Sequence, residues 1–260
     1  MKRFTSLFVF MIFIFQGYIY AQKSVENQSV SDTVNRADPN GNKIGYWEEK
    51  AGEITYKGIY HASRKNGNWI GYYQNNVISG IEFYTNGVKD GIAISIDKRG
   101  KISQVEYYKN GLLHGQTSVF NQSGDSPVSE IFYENGKKNG LCRLYYDNGK
   151  IQEESYYRQD KKSGTSKWNN KSGHTIAEYN YKDGNFDGSQ KTFYDNDTLQ
   201  SVNYYQNNQL SGDYKEFYQN GKLKLSGKYV AGNKEGSWNE YDESGKIVNV
   251  TKYNKTGKSK

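Results

Sequence analysis

A unit of 24 residues, written about nine times, constrains this chain more than any other feature of its sequence. The unit is plainest in residues 212–235, GDYKEFYQNGKLKLSGKYVAGNKE. Each copy opens on a glycine: Gly45, Gly67, Gly91, Gly115, Gly140, Gly164, Gly188, Gly212 and Gly236. The steps are 24 residues, apart from one of 25 and a first of 22. Seven residues before each later opening glycine stands a tyrosine: Tyr60, Tyr84, Tyr108, Tyr133, Tyr157, Tyr181, Tyr205 and Tyr229. Tyr253 continues the series. A nine-fold register is not a product of composition, even with 25 tyrosines, so the repeat governs every later reading.

Within a unit, Asn148-Gly149, Asn220-Gly221, Ser172-Gly173 and Ser244-Gly245 separate two stretches rich in Tyr, Phe, Thr, Ile and Trp. Such stretches suit a pleated surface, and Asn-Gly between them predicts a type I′ hairpin turn, whose two central residues need positive φ. No 3.6-residue periodicity survives the glycine punctuation. The expected fold is all-β: an elongated single antiparallel β-meander of about nine hairpins, some eighteen strands. With Asn220 and Gly221 as the turn residues, Tyr218 pairs with Leu223 and Gly212 stands opposite Tyr229. On that register each ladder tyrosine is expected to lay its ring over glycines of neighbouring strands. One face then carries Trp47, Trp69, Tyr214 and Trp238, and the other Tyr72, Phe120, Tyr145, Phe193 and Tyr241. Both are partly aromatic, and the pattern does not choose which is buried.

Residues 1–21 begin with Lys2 and Arg3, continue through an apolar run too short to span a bilayer, and end on Ala21. This is the layout of a secretory signal peptide, so the chain is expected to be exported to periplasm, cell surface or medium. Residues 22–43 are polar and read as a flexible lead-in, residues 44–253 as the array, and residues 254–260 as a basic tail. Removing the signal lowers the formal charge from +7 to +5, by the loss of two cations. The remaining lysines are dispersed among carboxylates rather than gathered into a stripe, which argues against nucleic acid as a partner. The sheet edges at the two ends are protected only by the lead-in and the Lys-rich tail.

The unit's opening G-x-W, its central Y-x-x-N-G-K and its Y-x-x-G before the next glycine resemble the MORN-repeat variant. Trp238-Asn239-Glu240-Tyr241 and Tyr218-Gln219-Asn220-Gly221-Lys222 carry the likeness best. Repeats three to seven depart from it, having Ala93, Thr117, Cys142, Ser166 and Gln190 in place of the tryptophan. Arrays of this kind occur in bacterial YwqK-type antitoxin-like proteins. The resemblance implies an elongated hairpin array that serves as a binding or scaffolding surface. A shorter likeness, residues 241–247 to a YD repeat, fits the 24-residue period less well.

Chemistry is sparse. His61, His114 and His174 are scattered over turns, and the single Cys142 excludes an internal disulfide and any His/Cys zinc spacing. Glu153-Glu154 and Asp195/Asp197 fit no calcium loop, no serine stands in G-x-S-x-G, and the glycines are not clustered before a helix. No catalytic residue, metal or cofactor is expected. The expected role is non-enzymatic, a surface for a protein partner, with glycan or membrane binding as the alternatives. Trp47, Trp69 and Trp238 are the candidate binding aromatics.

Overall fold

The computed structural model describes residues 34–259. The expected signal peptide and most of the expected lead-in therefore lie outside the described residues. The chain divides into two units, Met1–Asp90 and Gly91–Lys260, and the division falls at an opening glycine. There is no helix among the described residues, and every pairing is antiparallel. Within each unit the strands follow one another in meander order. The described residues form twenty-two strands. Three are short leading halves of strands broken at His114, Ser163 and Ser211, and one is the two-residue Arg36–Ala37, which leaves eighteen, or nine hairpins.

The expected register holds along the whole array. Gly45↔Tyr60 and Gly67↔Tyr84 pair in the first unit. In the second, Gly91↔Tyr108, Gly115↔Tyr133, Gly140↔Tyr157, Gly164↔Tyr181, Gly188↔Tyr205, Gly212↔Tyr229 and Gly236↔Tyr253 continue it.

The turns differ from expectation. At residues 218–222 the Gly221 N–H donates to the Tyr218 carbonyl (2.9 Å) and the Tyr218 N–H to the Lys222 carbonyl (2.8 Å). Only Gly221 has positive φ there (82°), so this is a type I turn closed by a glycine bulge. Asn220 takes no left-handed conformation; its Oδ1 accepts from the Lys222 N–H instead (3.0 Å). The bulge shifts the register by one, pairing Phe217 rather than Tyr218 with Leu223. Primed turns do occur, at the other end of the unit, just beyond each ladder tyrosine. Asn86-Gly87, Asn110-Gly111, Asn135-Gly136, Asp183-Gly184 and Ala231-Gly232 all have positive φ at both residues. An Asn-Gly pair suits either geometry, so the dipeptide alone does not distinguish them.

Both margins are laced to their neighbours. The Tyr146, Tyr194 and Tyr218 hydroxyls donate to the carbonyls of Asn169, Phe217 and Tyr241, one repeat further on, at 2.6–2.8 Å. On the opposite margin the second primed-turn residue donates backward, as Gly184 N–H does to Lys162 (2.9 Å) and Gly232 N–H to Leu210 (2.8 Å).

The glycines carry a second correction. Opening glycines recur because their backbone is left-handed, with φ between 70° and 131° in all of the later repeats. No ladder tyrosine covers them: a Cβ built on Gly67, Gly164 or Gly236 would meet nothing within 4 Å. The glycines that lie directly under tryptophan rings are Gly58 and Gly227. A Cβ there would fall 2.4 Å from Trp69 Cδ2 and 2.2 Å from Trp238 Cδ2.

The largest part of the core is a row two residues after the opening glycines, while Ile94, Val105 and Val202 are buried on the opposite face. Trp69, Ala93, Thr117, Cys142, Ser166, Gln190 and Trp238 are all buried. Residue size across this row is complementary: glycine faces tryptophan, whereas Ile131 pairs with Cys142 and Tyr179 with Gln190. Because close packing conserves volume, a small residue in one column is matched by a large one in the next.

Candidate binding surface

The row is closed over by its own face. Ladder tyrosines pack edge-on against the tryptophans: Tyr60 lies 5.6 Å from Trp47 and 5.0 Å from Trp69, and Tyr229 lies 5.0 Å from Trp238. Two residues before several opening glycines stands a lysine whose ammonium sits over the same rings. Lys65 is 4.0 Å from the Trp69 ring, Lys234 is 4.1 Å from Trp238, and Lys43 is 4.5 Å from Trp47. Carboxylates complete the cover, as Lys162–Glu153 (2.6 Å), Lys89–Glu82 (2.6 Å) and the Lys43–Glu49 pair show. This lysine column escaped the sequence reading. Its signal is the recurrence of Lys43, Lys65, Lys89, Lys138, Lys162 and Lys234 at one phase of the repeat, obscured by Leu113, Phe186 and Leu210 at the same phase.

Of the candidate binding aromatics, Trp69 (0 % exposed) and Trp238 (3 %) are core residues, and Trp47 is half-buried. Expectation placed them on a ligand-facing surface. The glycine beneath each buried indole draws it down onto the sheet, where no ring face remains for a ligand.

Burial also holds phenols protonated. Burial, with smaller contributions from nearby Glu153 for Tyr181 and Glu216 for Tyr214, pushes each hydroxyl from the usual 10.0 up to about 12. Tyr145 is raised by burial and by donating to Glu130 Oε2 (2.6 Å). The folded state thus prefers the protonated phenol, a contribution fully present below pH 10 and lost as pH rises through 12. The urea midpoint is expected to be flat below pH 9–10 and to fall between about pH 10 and 12, with tyrosinate absorbance rising in step. Tyrosinate formation at the free-phenol midpoint with the fold intact would contradict it.

Strand alternation sends the residue before each ladder tyrosine to the opposite face. In the first unit these are Ile59 and Phe83, both exposed. In the second unit Phe132 (46 % exposed), Tyr156 (48 %) and Tyr204 (43 %) stand there, with half-buried Tyr107 at the same phase. Phe132 and Tyr204 lean by their bases on opening glycines: a Cβ on Gly140 would lie 3.4 Å from Phe132 Cβ, and one on Gly212 would lie 3.2 Å from Tyr204 Cβ. Phe132 and Tyr156 are two strands apart, about 9–10 Å, whereas Asn180 holds the position between Tyr156 and Tyr204, which are four strands apart. Two residues earlier on the same strands, Glu130 accepts from Tyr145 and Glu154 pairs with Arg143 (2.7 Å). The second unit therefore presents rings separated by partnered charges.

The other polar candidates stay apart. Cys142 is buried and its thiol is pushed up by that burial. His174 Nδ1 lies 3.0 Å from Asp197 Oδ1 on exposed turns, and His114 Nδ1 is buried without a partner. Glu153 and Glu154 point to opposite faces, each with its own cation. Among the described residues no three His, Cys, Asp or Glu side chains are grouped to hold a metal ion.

Four segments, residues 138–159, 186–207, 210–231 and 234–258, match the family model described as MORN repeat variant. Each covers one hairpin, a strand carrying an opening glycine followed by the strand that ends near its ladder tyrosine. That repeat type is non-catalytic. No curated protein matches the chain significantly.

Proposed function

We propose that this chain is a non-enzymatic, exported repeat protein whose second unit binds a protein partner through the face opposite the tyrosine ladder. The observation that carries this reading is the file of Phe132, Tyr156 and Tyr204, left 43–48 % exposed while Trp69 and Trp238 of the core row are buried. Rings of this kind offer large contact area at low entropic cost, and the charged pairs between them supply orientation. MORN repeats are generally associated with protein or membrane binding, which agrees with a surface role. A toxin held by an antitoxin-like array would be one instance of such a partner. The ion pairs Arg143–Glu154 and Lys167–Glu178 (3.2 Å) leave this face mixed in charge, which favours a protein over an anionic membrane.

The experiment compares full-length protein with a Phe132→Ser/Tyr156→Ser/Tyr204→Ser variant as bait in an envelope extract. A partner is expected to be retained by the parent and lost by the variant while far-UV circular dichroism is unchanged. Equal retention by both overturns the reading, as does saturable binding to a glycan array or to anionic vesicles that the triple variant abolishes.

A further inference from the structure

Among the described residues, the last strand of the second unit, Ile247–Tyr253, is paired along one side only. It pairs with Asn233–Tyr241, and on its outer side the described residues contribute a single bridge, Tyr253↔Ser259. What a missing neighbour does to this strand can be read from equivalent positions earlier in the unit. Val105 pairs with both Ile94 and Ser118 and is 5 % exposed. Val202 pairs with both Lys191 and Lys215 and is 9 % exposed. Val250 stands at the same phase, pairs only with Asn239, and is 47 % exposed. Val248, on the same face two residues earlier, is 60 % exposed.

Open edges are normally blunted by charge, proline, a bulge or a covering segment. Residues 247–252, Ile-Val-Asn-Val-Thr-Lys, carry one charge, at Lys252, and no proline. The first unit treats its outer strand differently. Arg36–Ala37 pairs with Lys43 and Ile44, and the Asn35 side chain accepts from the Glu48 N–H (2.8 Å). Among the described residues one edge is capped, and the other is uncovered up to Tyr253, apolar and nearly uncharged.

We propose that Ile247–Tyr253 pairs antiparallel with the same strand of a second copy of this chain, about a two-fold axis through Asn249. Symmetry fixes much of the geometry. Antiparallel pairing of two identical edges places the two-fold normal to the sheet, so paired residues share a face and the axis passes through a residue rather than between two. With the axis at Asn249, Val248 of each copy lies opposite Val250 of the other, and the four valines form one apolar patch. Lys252 falls outside the paired segment. An axis at Val250 would instead set Lys252 opposite Val248 and leave the patch incomplete. A second copy suits this edge better than an acidic or basic peptide, because Lys252, at the end of the strand, is the one charge it offers a partner. An extended peptide from another protein is the competing occupant.

The test is sedimentation velocity on the full chain, run with two kinds of variant. The parent is expected to sediment as a concentration-dependent dimer. Val248→Lys/Val250→Lys sets like charges opposite one another and is expected to weaken self-association by at least about tenfold. Its circular dichroism and thermal midpoint should match the parent, because both side chains are exposed. Asn249→Cys tests the register separately. Across the axis the two Cα atoms would lie about 4.5–5.5 Å apart, within the range a disulfide spans. Mild oxidation should therefore yield a covalent dimer that thiol reductant reverses, with buried Cys142 silent. A parent that stays monomeric at high concentration overturns the proposal, and so does a dimer that survives both lysines. A dimer in which Asn249→Cys does not cross-link overturns the register.

Discussion

Gly227→Ala is expected to lower stability by about 2–4 kcal/mol, far more than a methyl group costs on an ordinary strand. The added Cβ would stand 2.2 Å from Trp238 Cδ2 and 2.3 Å from Cε2, inside the contact distance of carbon atoms. The indole has nowhere to retreat. It is stacked 5.4 Å from Tyr214, held edge-on by Tyr229 at 5.0 Å, and overlain by the Lys234 ammonium at 4.1 Å. Urea unfolding followed by tryptophan emission measures the loss. Trp238→Ala in the same chain provides the control. If the close approach is the cause, the double variant is much less destabilised than the sum of the singles, since removing the indole vacates the space the methyl needs. Strict additivity would mean that glycine is required there for another reason.

Trp69→Ala is the second large effect, about 3–5 kcal/mol. The side chain is fully buried on Gly58, and its Nε1–H donates to the Ile59 carbonyl at 3.2 Å. Truncation opens a cavity whose floor is a glycine and whose walls are Tyr60 and the stem of Lys65, groups that cannot all collapse inward. Trp47→Ala should cost clearly less, because that indole is half-exposed, with its Nε1 about 3.1 Å from the Arg36 and Ile44 carbonyls near an edge. Repeat arrays distribute stability among neighbouring units, so the Trp69→Ala loss should appear first as faster amide exchange across Ile54–His61 and Arg64–Tyr72. Exchange in Leu223–Val230 should change least. A uniform increase through both units would contradict that locality.

Much of the architecture was legible because the repeat supplies nine independent copies of the same message. The Gly–Tyr pairing could be read from spacing alone, since an offset of 17 residues between Gly212 and Tyr229 leaves few ways to close a hairpin. Turn chemistry was not legible at the same level. Asn220-Gly221 and Asn86-Gly87 are identical dipeptides, yet the first closes a type I turn with a bulge and the second a primed turn. What separates them is the number of residues between paired strands, a property of the register rather than of the dipeptide. The choice of buried face was illegible for a related reason. Both faces hold aromatics, and the deciding residues are the glycines at 58 and 227, which look like ordinary strand breakers until a tryptophan is found lying on them. The binding face followed the same logic: Tyr156 and Tyr157 are adjacent and chemically identical, and only pairing to Leu141 and Gly140 tells outward from inward.

The two margins of the array also differ in how they handle length. The extra residue between Gly115 and Gly140 is absorbed in the turn at residues 121–126, where the Asn121 N–H reaches Ser126 rather than a residue four on. The shortened first repeat makes its change at the same margin, pairing Ala51 directly with Ile54. Opposite them, the turns beyond the ladder tyrosines keep two residues between paired strands, as at Asn135-Gly136 and Ala231-Gly232. Insertions and deletions thus collect along one border, while the other acts as a fixed pitch that restores phase at the next glycine. Lineages of such a chain are free to embroider one selvedge with loops of new length without disturbing the weave.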